Sequence, residues 1–174
     1  MAPMNDQVAV AVPRLHTERL TLREYRRGDF DAFAAHLMDP DSAAHLGLAD
    51  RDTAWRNFLS HAGLWLIDGA GWWSVEDRRS GQVVGSVGAF FREDASVMEM
   101  GWNTYRAFRG QGYAGEAAAA AMAHAFDTRG APTVRALIAA ANLGSQGVAA
   151  RLGMRHEGET AFNGKPIGVY ARQR

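Results

Sequence analysis

Cysteine is absent from the 174 residues. That removes disulfides, thiolate nucleophiles, a thiol-linked acyl-enzyme and cysteine-ligated zinc together. Lysine is nearly absent as well: Lys165 is the only one. Positive charge is therefore carried by arginine, whose planar guanidinium makes bidentate contacts to phosphate. Neither sign of charge is in excess, with 19 basic and 19 acidic residues. The balance gives no electrostatic case for nucleic acid or an acidic membrane surface as partner. No apolar run approaches the ~18 residues of a membrane span, and the run of small residues Ala117–Ala121 is too short and alanine-rich to count. The six histidines (His16, His36, His45, His61, His124 and His156) show neither HExxH nor another close ligand spacing, so no metal site is expected. Residues 1–13 lack a basic start and carry Asp6, which reads as a loose leader and not a signal peptide. What is left is an ordinary cytoplasmic composition and one domain over residues 14–174.

Arg19–Tyr25 alternates apolar and polar residues, the period of a half-buried strand. Gly28-Asp29 offers a turn and an N-cap for a helix over Phe30–Met38, where Phe30, Phe33, Ala34 and Leu37 share a face. Pro40 ends it. A second helix is expected over Asp52–Leu66, and strands over Trp72–Glu76, Val83–Phe91 and Met98–Thr104. Gly112–Asp127 is an alanine-rich helix with Gly130 as its stop. The strand Thr133–Ala140 and the helix Gly144–Leu152 follow. Asn163-Gly164 is a strong hairpin turn between Arg155–Ala161 and Pro166–Arg172. Antiparallel meanders with one strand–helix–strand crossover predict an α/β fold of the mixed kind: a mainly antiparallel sheet with helices on both faces.

The stretch Arg109-Gly110-Gln111-Gly112-Tyr113-Ala114-Gly115 joins a strand to the alanine-rich helix. Its glycines let backbone approach a ligand, and free N–H groups at a helix start favour an anion such as a diphosphate. Arg106 and Arg109 stand beside it. A plain glycine-rich turn is the other reading. GxxxxGK[ST] is absent. GQGYAG matches the bare GxGxxG, but it lies late in the chain with no strand–helix–strand unit and no acidic residue ~20 positions on; position 135 is Arg.

RGQGYAG resembles the acetyl-CoA pyrophosphate motif [QR]-x-x-G-x-[GA] of the GNAT N-acetyltransferases, with Arg109, Gly112 and Ala114 in the fixed places. Leu15–Arg23 is similar to the L-x-T-E-R-L-x-L-R opening of the RimJ/RimL-like branch. Glu99-Met100-Gly101-Trp102 is similar to its E-[IL]-G-[YW] strand. Asn142–Ser145 with Arg151-Leu152-Gly153-Met154 is similar to its N-x-x-S…K-L-G-F segment. Four motifs in order cover the chain from Leu15 to its end. Two departures stand out: Ala149 occupies the place where some relatives carry a tyrosine general acid, and Arg151 and Met154 replace Lys and Phe.

The resemblance implies acetyl transfer from acetyl-coenzyme A to a primary amine, either a protein N-terminus or a small molecule, by direct attack in a ternary complex. A homodimer would follow only from family habit. The strand Met98–Thr104 should splay from Thr133–Ala140 and take the pantetheine arm on the backbone of Met100 and Trp102. An N–H near Trp102 or Asn103 should hold the thioester oxygen. Arg109, Gly110, Gln111, Gly112, Tyr113, Ala114 and Gly115 should cradle the pyrophosphate. Glu99 is the candidate base through water, or else an ion-paired strand glutamate. Asn142 binds pantetheine amides or merely ends a strand. Ser145 contacts the cofactor, protonates the leaving thiolate, or caps a helix. Arg151 reaches the phosphates or is solvated. Tyr113 stacks near the adenine or packs in the core. His45, Trp65, Trp72 and Trp73 either wall the acceptor site or are surface and core residues. The competing classes are a non-catalytic acyl-CoA-sensing module and a nucleotide-binding protein.

Overall fold

The computed structural model describes residues 9–42, 44–45, 47–94 and 96–174. Most of the expected leader, residues 1–8, lies outside them. Its end is tied down: the Pro13 carbonyl accepts from the Trp73 indole at 2.8 Å, and Val12 packs on the core. The elements run β1 (Leu15–His16), β2 (Leu20–Arg23), α1 (Phe30–Met38), α2 (Arg51–Asp68), β3 (Gly71–Asp77), β4 (Val83–Phe90) and β5 (Met98–Thr104). They continue with α3 (Tyr113–Ala123), β6 (Thr133–Ile138), α4 (Leu143–Arg151), β7 (Arg155–Phe162) and β8 (Lys165–Gln173). The eight strands form one sheet in the order β1-β2-β3-β4-β5-β6-β8-β7. Every pairing is antiparallel except β5 with β6. The mixed α/β sheet expected from the sequence is the one observed.

Local chemistry accounts for most boundaries. Asp50 caps α2 by accepting from the Thr53 N–H at 2.7 Å, and Gly69 ends it in the left-handed region at φ 60°. Asn163 and Gly164 both hold positive φ, 50° and 73°, the pair that a tight hairpin turn demands. In α3, Ala117, Ala118, Ala121 and Met122 are buried. Their small side chains let the helix lie close against β4 and β5, where Val87, Ala89, Met98 and Met100 complete the main core. A second cluster, Phe33, Phe58 and Tyr105 among others, seats α1 and α2.

Three details differ from expectation. The alanine-rich helix does not run evenly to Asp127: its last turn, His124–Thr128, is a π-helix. Asp29 does not cap α1 with its side chain. Its carboxylate is drawn instead to Arg23, at 2.8 and 2.9 Å, and to the Ser74 hydroxyl at 2.8 Å. A buried guanidinium needs a carboxylate more than an exposed helix start needs a cap. Finally, β1 is a short extra strand that pairs only with β2.

Candidate active site

Strands β5 and β6 pair only at Met98–Val134 and Glu99–Arg135. Beyond that they part, while β5 stays bonded to β4 as far as Thr104 and β6 to β8 as far as Ile138. A cleft of about 930 Å³ opens between them. Met100, Trp102 and Asn103 line one side and Ala136, Leu137 and Ile138 the other. The β6-facing backbone groups of β5 past Glu99 therefore have no strand partner, and a bound chain could take the place of one.

The cleft runs into the glycine-rich turn. Gly110 and Gly112 adopt φ of 75° and 81°, conformations that side chains resist. The first bond within α3 is from the Glu116 N–H to the Gly112 carbonyl, 3.2 Å. The N–H groups of Tyr113, Ala114 and Gly115 precede it and have no intrahelical partner. Arg109 lines the cleft beside them. The Arg151 guanidinium lies 3.9 Å from where a Cβ on Gly115 would sit and has no ion-pair partner among the described residues. Arg106 does not join this group; it turns away to Asp39 and Asp41 at 3.3 and 2.8 Å.

Gln111 is not among the lining residues; its carbonyl accepts from Arg19 at 2.9 Å. Tyr113 keeps its ring in the cleft, but its hydroxyl donates to Asp77 at 2.9 Å and Arg19 lies over its face. The bond to Asp77 raises its pKa. Glu116 accepts from the Thr17 hydroxyl, the Arg19 N–H and the Arg19 guanidinium at 2.5, 2.9 and 2.7 Å. The N-terminal motif and the glycine motif are thus one brace that holds the first turn of α3 against the sheet.

Asn142 and Ser145 both line the cleft. Asn142 is the cap of α4, accepting from the Ser145 N–H at 3.0 Å, so the capping role weighed for Ser145 belongs to its neighbour. The Asn142 amide nitrogen and the Ser145 hydroxyl are left without partners among the described residues. Ala149 is fully buried in the core.

Glu99 faces the cleft yet is only 1% exposed. One oxygen accepts from Arg135 at 2.8 and 3.0 Å, the other from Arg92 at 2.5 Å. Both carboxylate oxygens are thus taken up by guanidiniums. That is the arrangement of the ion-paired reading of Glu99.

Beyond Glu99 the cleft is walled by Trp72, Phe90, Arg92, Phe162 and Ile167. Of the three tryptophans considered, only Trp72 lines it; Trp65 and Trp73 lie in the core. The Trp72 indole covers Gly88 and Gly101, with a Cβ on Gly88 falling 2.6 Å from its ring. It stacks on His61 at 4.3 Å and on Phe90 at 5.3 Å. His45 also lines the cleft.

Sequence reading missed His36. It lies three residues after Phe33, so helical spacing already turned it inward, but nothing local said what it would meet. In the structure it lines the cleft, 6% exposed, with neither ring nitrogen bonded. Burial, reinforced by the charge of Arg109, lowers its pKa below that of an ordinary histidine. No cluster of three His, Asp or Glu among the described residues is arranged to hold a metal.

The sequence model of the GNAT acetyltransferase domain matches residues 19–155. The chain is 32% identical over 169 residues to the protein YkkB of Bacillus subtilis (strain 168), an alignment covering 94% of this chain and 97% of YkkB. Among solved structures, an acetyltransferase of Agrobacterium tumefaciens str. C58 superposes with a TM-score of 0.86 at 28% identity, covering 98% of this chain and 100% of that one. RimL, a ribosomal L7/L12 alpha-N-protein acetyltransferase solved with coenzyme A, shares the fold at a TM-score of 0.74 and 16% identity, over 90% and 95% of the two chains. The chain belongs to the GNAT acetyltransferase family.

Proposed function

We propose that the protein transfers an acetyl group from acetyl-coenzyme A to a primary amine by direct attack in a ternary complex. One observation carries the reading: the unpaired edge of β5 runs straight into the unbonded amides at the head of α3. An extended pantetheine followed by a diphosphate has that order of groups. The N–H groups of Tyr113, Ala114 and Gly115 face the diphosphate, and Arg109 and Arg151 add charge-assisted contacts. Gly110 and Gly112 supply the turn, and the Gln111 carbonyl anchors it through Arg19.

Met100, Trp102 and Asn103 present backbone to the pantetheine arm, and the free Asn142 amide bonds it from the α4 side. An N–H at Trp102 or Asn103 steadies the charge that grows on the thioester oxygen. Bound acetyl-coenzyme A supplies the activated acyl carbon. Ser145, its hydroxyl unoccupied, stands on the α4 side to meet the departing sulfur. Glu99 fixes Arg92 and Arg135 at the floor of the acceptor end. The absence of cysteine excludes a thiol-linked acetyl-enzyme, in keeping with direct attack.

The test combines calorimetry with turnover. Acetyl-coenzyme A should bind, ATP and NAD should not, and coenzyme A should be released above background with at least one member of a broad amine panel. Tight binding with no release across the panel would favour the acyl-CoA-sensing reading instead.

A further inference from the structure

His36 is anomalous within the fold. Buried polar groups nearly always find hydrogen-bond partners, yet both of its ring nitrogens are buried and unbonded. The residue nevertheless borders the cleft, forming part of its wall together with Trp72, Asn103 and Arg109. Its ring lies 5.2 Å from that of Tyr105, which seats it over the end of β5. The charged or titratable groups around it are Tyr105 and Arg109 from the segment after β5, Asp39 at the end of α1, and Asp41 and His45 from the connection to α2. Asp39 and Asp41 are engaged by Arg106, so neither carboxylate is free to hold an imidazolium. Burial lowers the pKa of the ring, which favours its neutral form, the form that carries a lone pair. Glu99, the other acid–base group in the cleft, is occupied by Arg92 and Arg135.

We propose that His36 is the catalytic group that receives the proton of the attacking amine. The assignment rests on the acetyl-transfer reading above. The amine nitrogen forms a bond to the acyl carbon as the carbon–sulfur bond breaks and its electron pair leaves on sulfur. The surplus proton on nitrogen passes to a ring nitrogen of His36. The imidazolium then releases it, directly or through solvent, to the thiolate, and the ring is neutral again for the next turnover.

The experiment uses the full chain, acetyl-coenzyme A and the panel amine that wild type turns over fastest. His36→Gln, His36→Phe and His36→Ala are compared with wild type for coenzyme A affinity by calorimetry and for kcat/KM against pH. The expected result is coenzyme A affinity within tenfold of wild type, kcat lower by roughly 10²–10⁴, and loss of the acid-side fall in wild-type kcat/KM that exceeds the fall due to protonation of the amine itself. Added imidazole should restore part of the rate to His36→Ala, a rescue that a merely structural role would not produce. If the Ala variant fails to fold, the Gln and Phe variants and the wild-type profile carry the test. A kcat reduced less than tenfold, an acid-side fall beyond that of the amine surviving in the variants, or a coenzyme A affinity reduced more than tenfold would each overturn the assignment, the last by moving His36 to the cofactor's grip. A wild type that turns over no panel amine sinks the acetyl-transfer reading itself, and this assignment with it.

Discussion

Trp72 lies across two strands because Gly88 and Gly101 leave it room. Any side chain at Gly101 would enter the space of the indole. We expect Gly101→Ala to cost about 1–3 kcal/mol by overpacking, measured by denaturant unfolding, and to change which amines are accepted while coenzyme A affinity stays within a few-fold. Asp29 is the matching case for charge. Its carboxylate is 7% exposed and holds Arg23, 5% exposed, which also bonds Glu76 at 2.6 Å. Removing one partner of a buried pair costs about 3–5 kcal/mol. Asp29→Ala should fall at the low end, because Glu76 remains to Arg23, and the unfolding midpoint in urea would register it.

At the scale of elements, the head of α3 is where conformation and chemistry coincide. Gly112 sits at φ 81°, so Gly112→Ala strains the turn by roughly 1–2 kcal/mol and tilts the amides that follow. Coenzyme A affinity should fall at least tenfold by calorimetry, with far-UV circular dichroism unchanged. Glu116→Ala removes the acceptor of Thr17 and both Arg19 donors and should weaken the same binding without touching the ligand. The brace explains why two motifs far apart in the chain belong together: each is short and unremarkable alone, and their contact is what steadies the anion site. The α1 segment was legible as a helix from the spacing of Phe30, Phe33 and Leu37. The diversion of Asp29 was not, because its partners Arg23 and Ser74 belong to other strands.

Across the whole molecule, buried and half-buried imidazoles tie stability to acid. Burial pulls His61 down to about 4, and His36 and His124 move in the same direction. The unfolded chain binds protons at these sites near pH 6.5, above the folded values. Stability from them is therefore complete above about pH 6.5 and declines as pH falls toward about 4. The urea midpoint should drop between pH 7.5 and 5, and His61→Phe should reduce that drop. Charge at the cleft also speaks to the acceptor. Asp41 and Glu99, the carboxylates that line it, are paired with arginines, and Arg92 stands at the same end. A polyamine such as spermidine should accordingly show a kcat/KM at least tenfold below a small mono-amine of similar size. No described helix is long and apolar enough to cross a membrane.

Periodicity, turn residues and the glycine-rich turn act within a few residues of chain, so the order of strands and helices, the hairpin at Asn163-Gly164 and the amides at the head of α3 could be read from sequence alone. Contacts between segments distant in the chain decided the rest. The parting of β5 and β6 depends on what each pairs with on its far side. The binding of Glu99 to Arg92 and Arg135 and the stranding of His36 at the cleft depend on which elements meet there. A side chain's charge and reach are set by its type, but whether its lone pair is free is settled only by what packs around it.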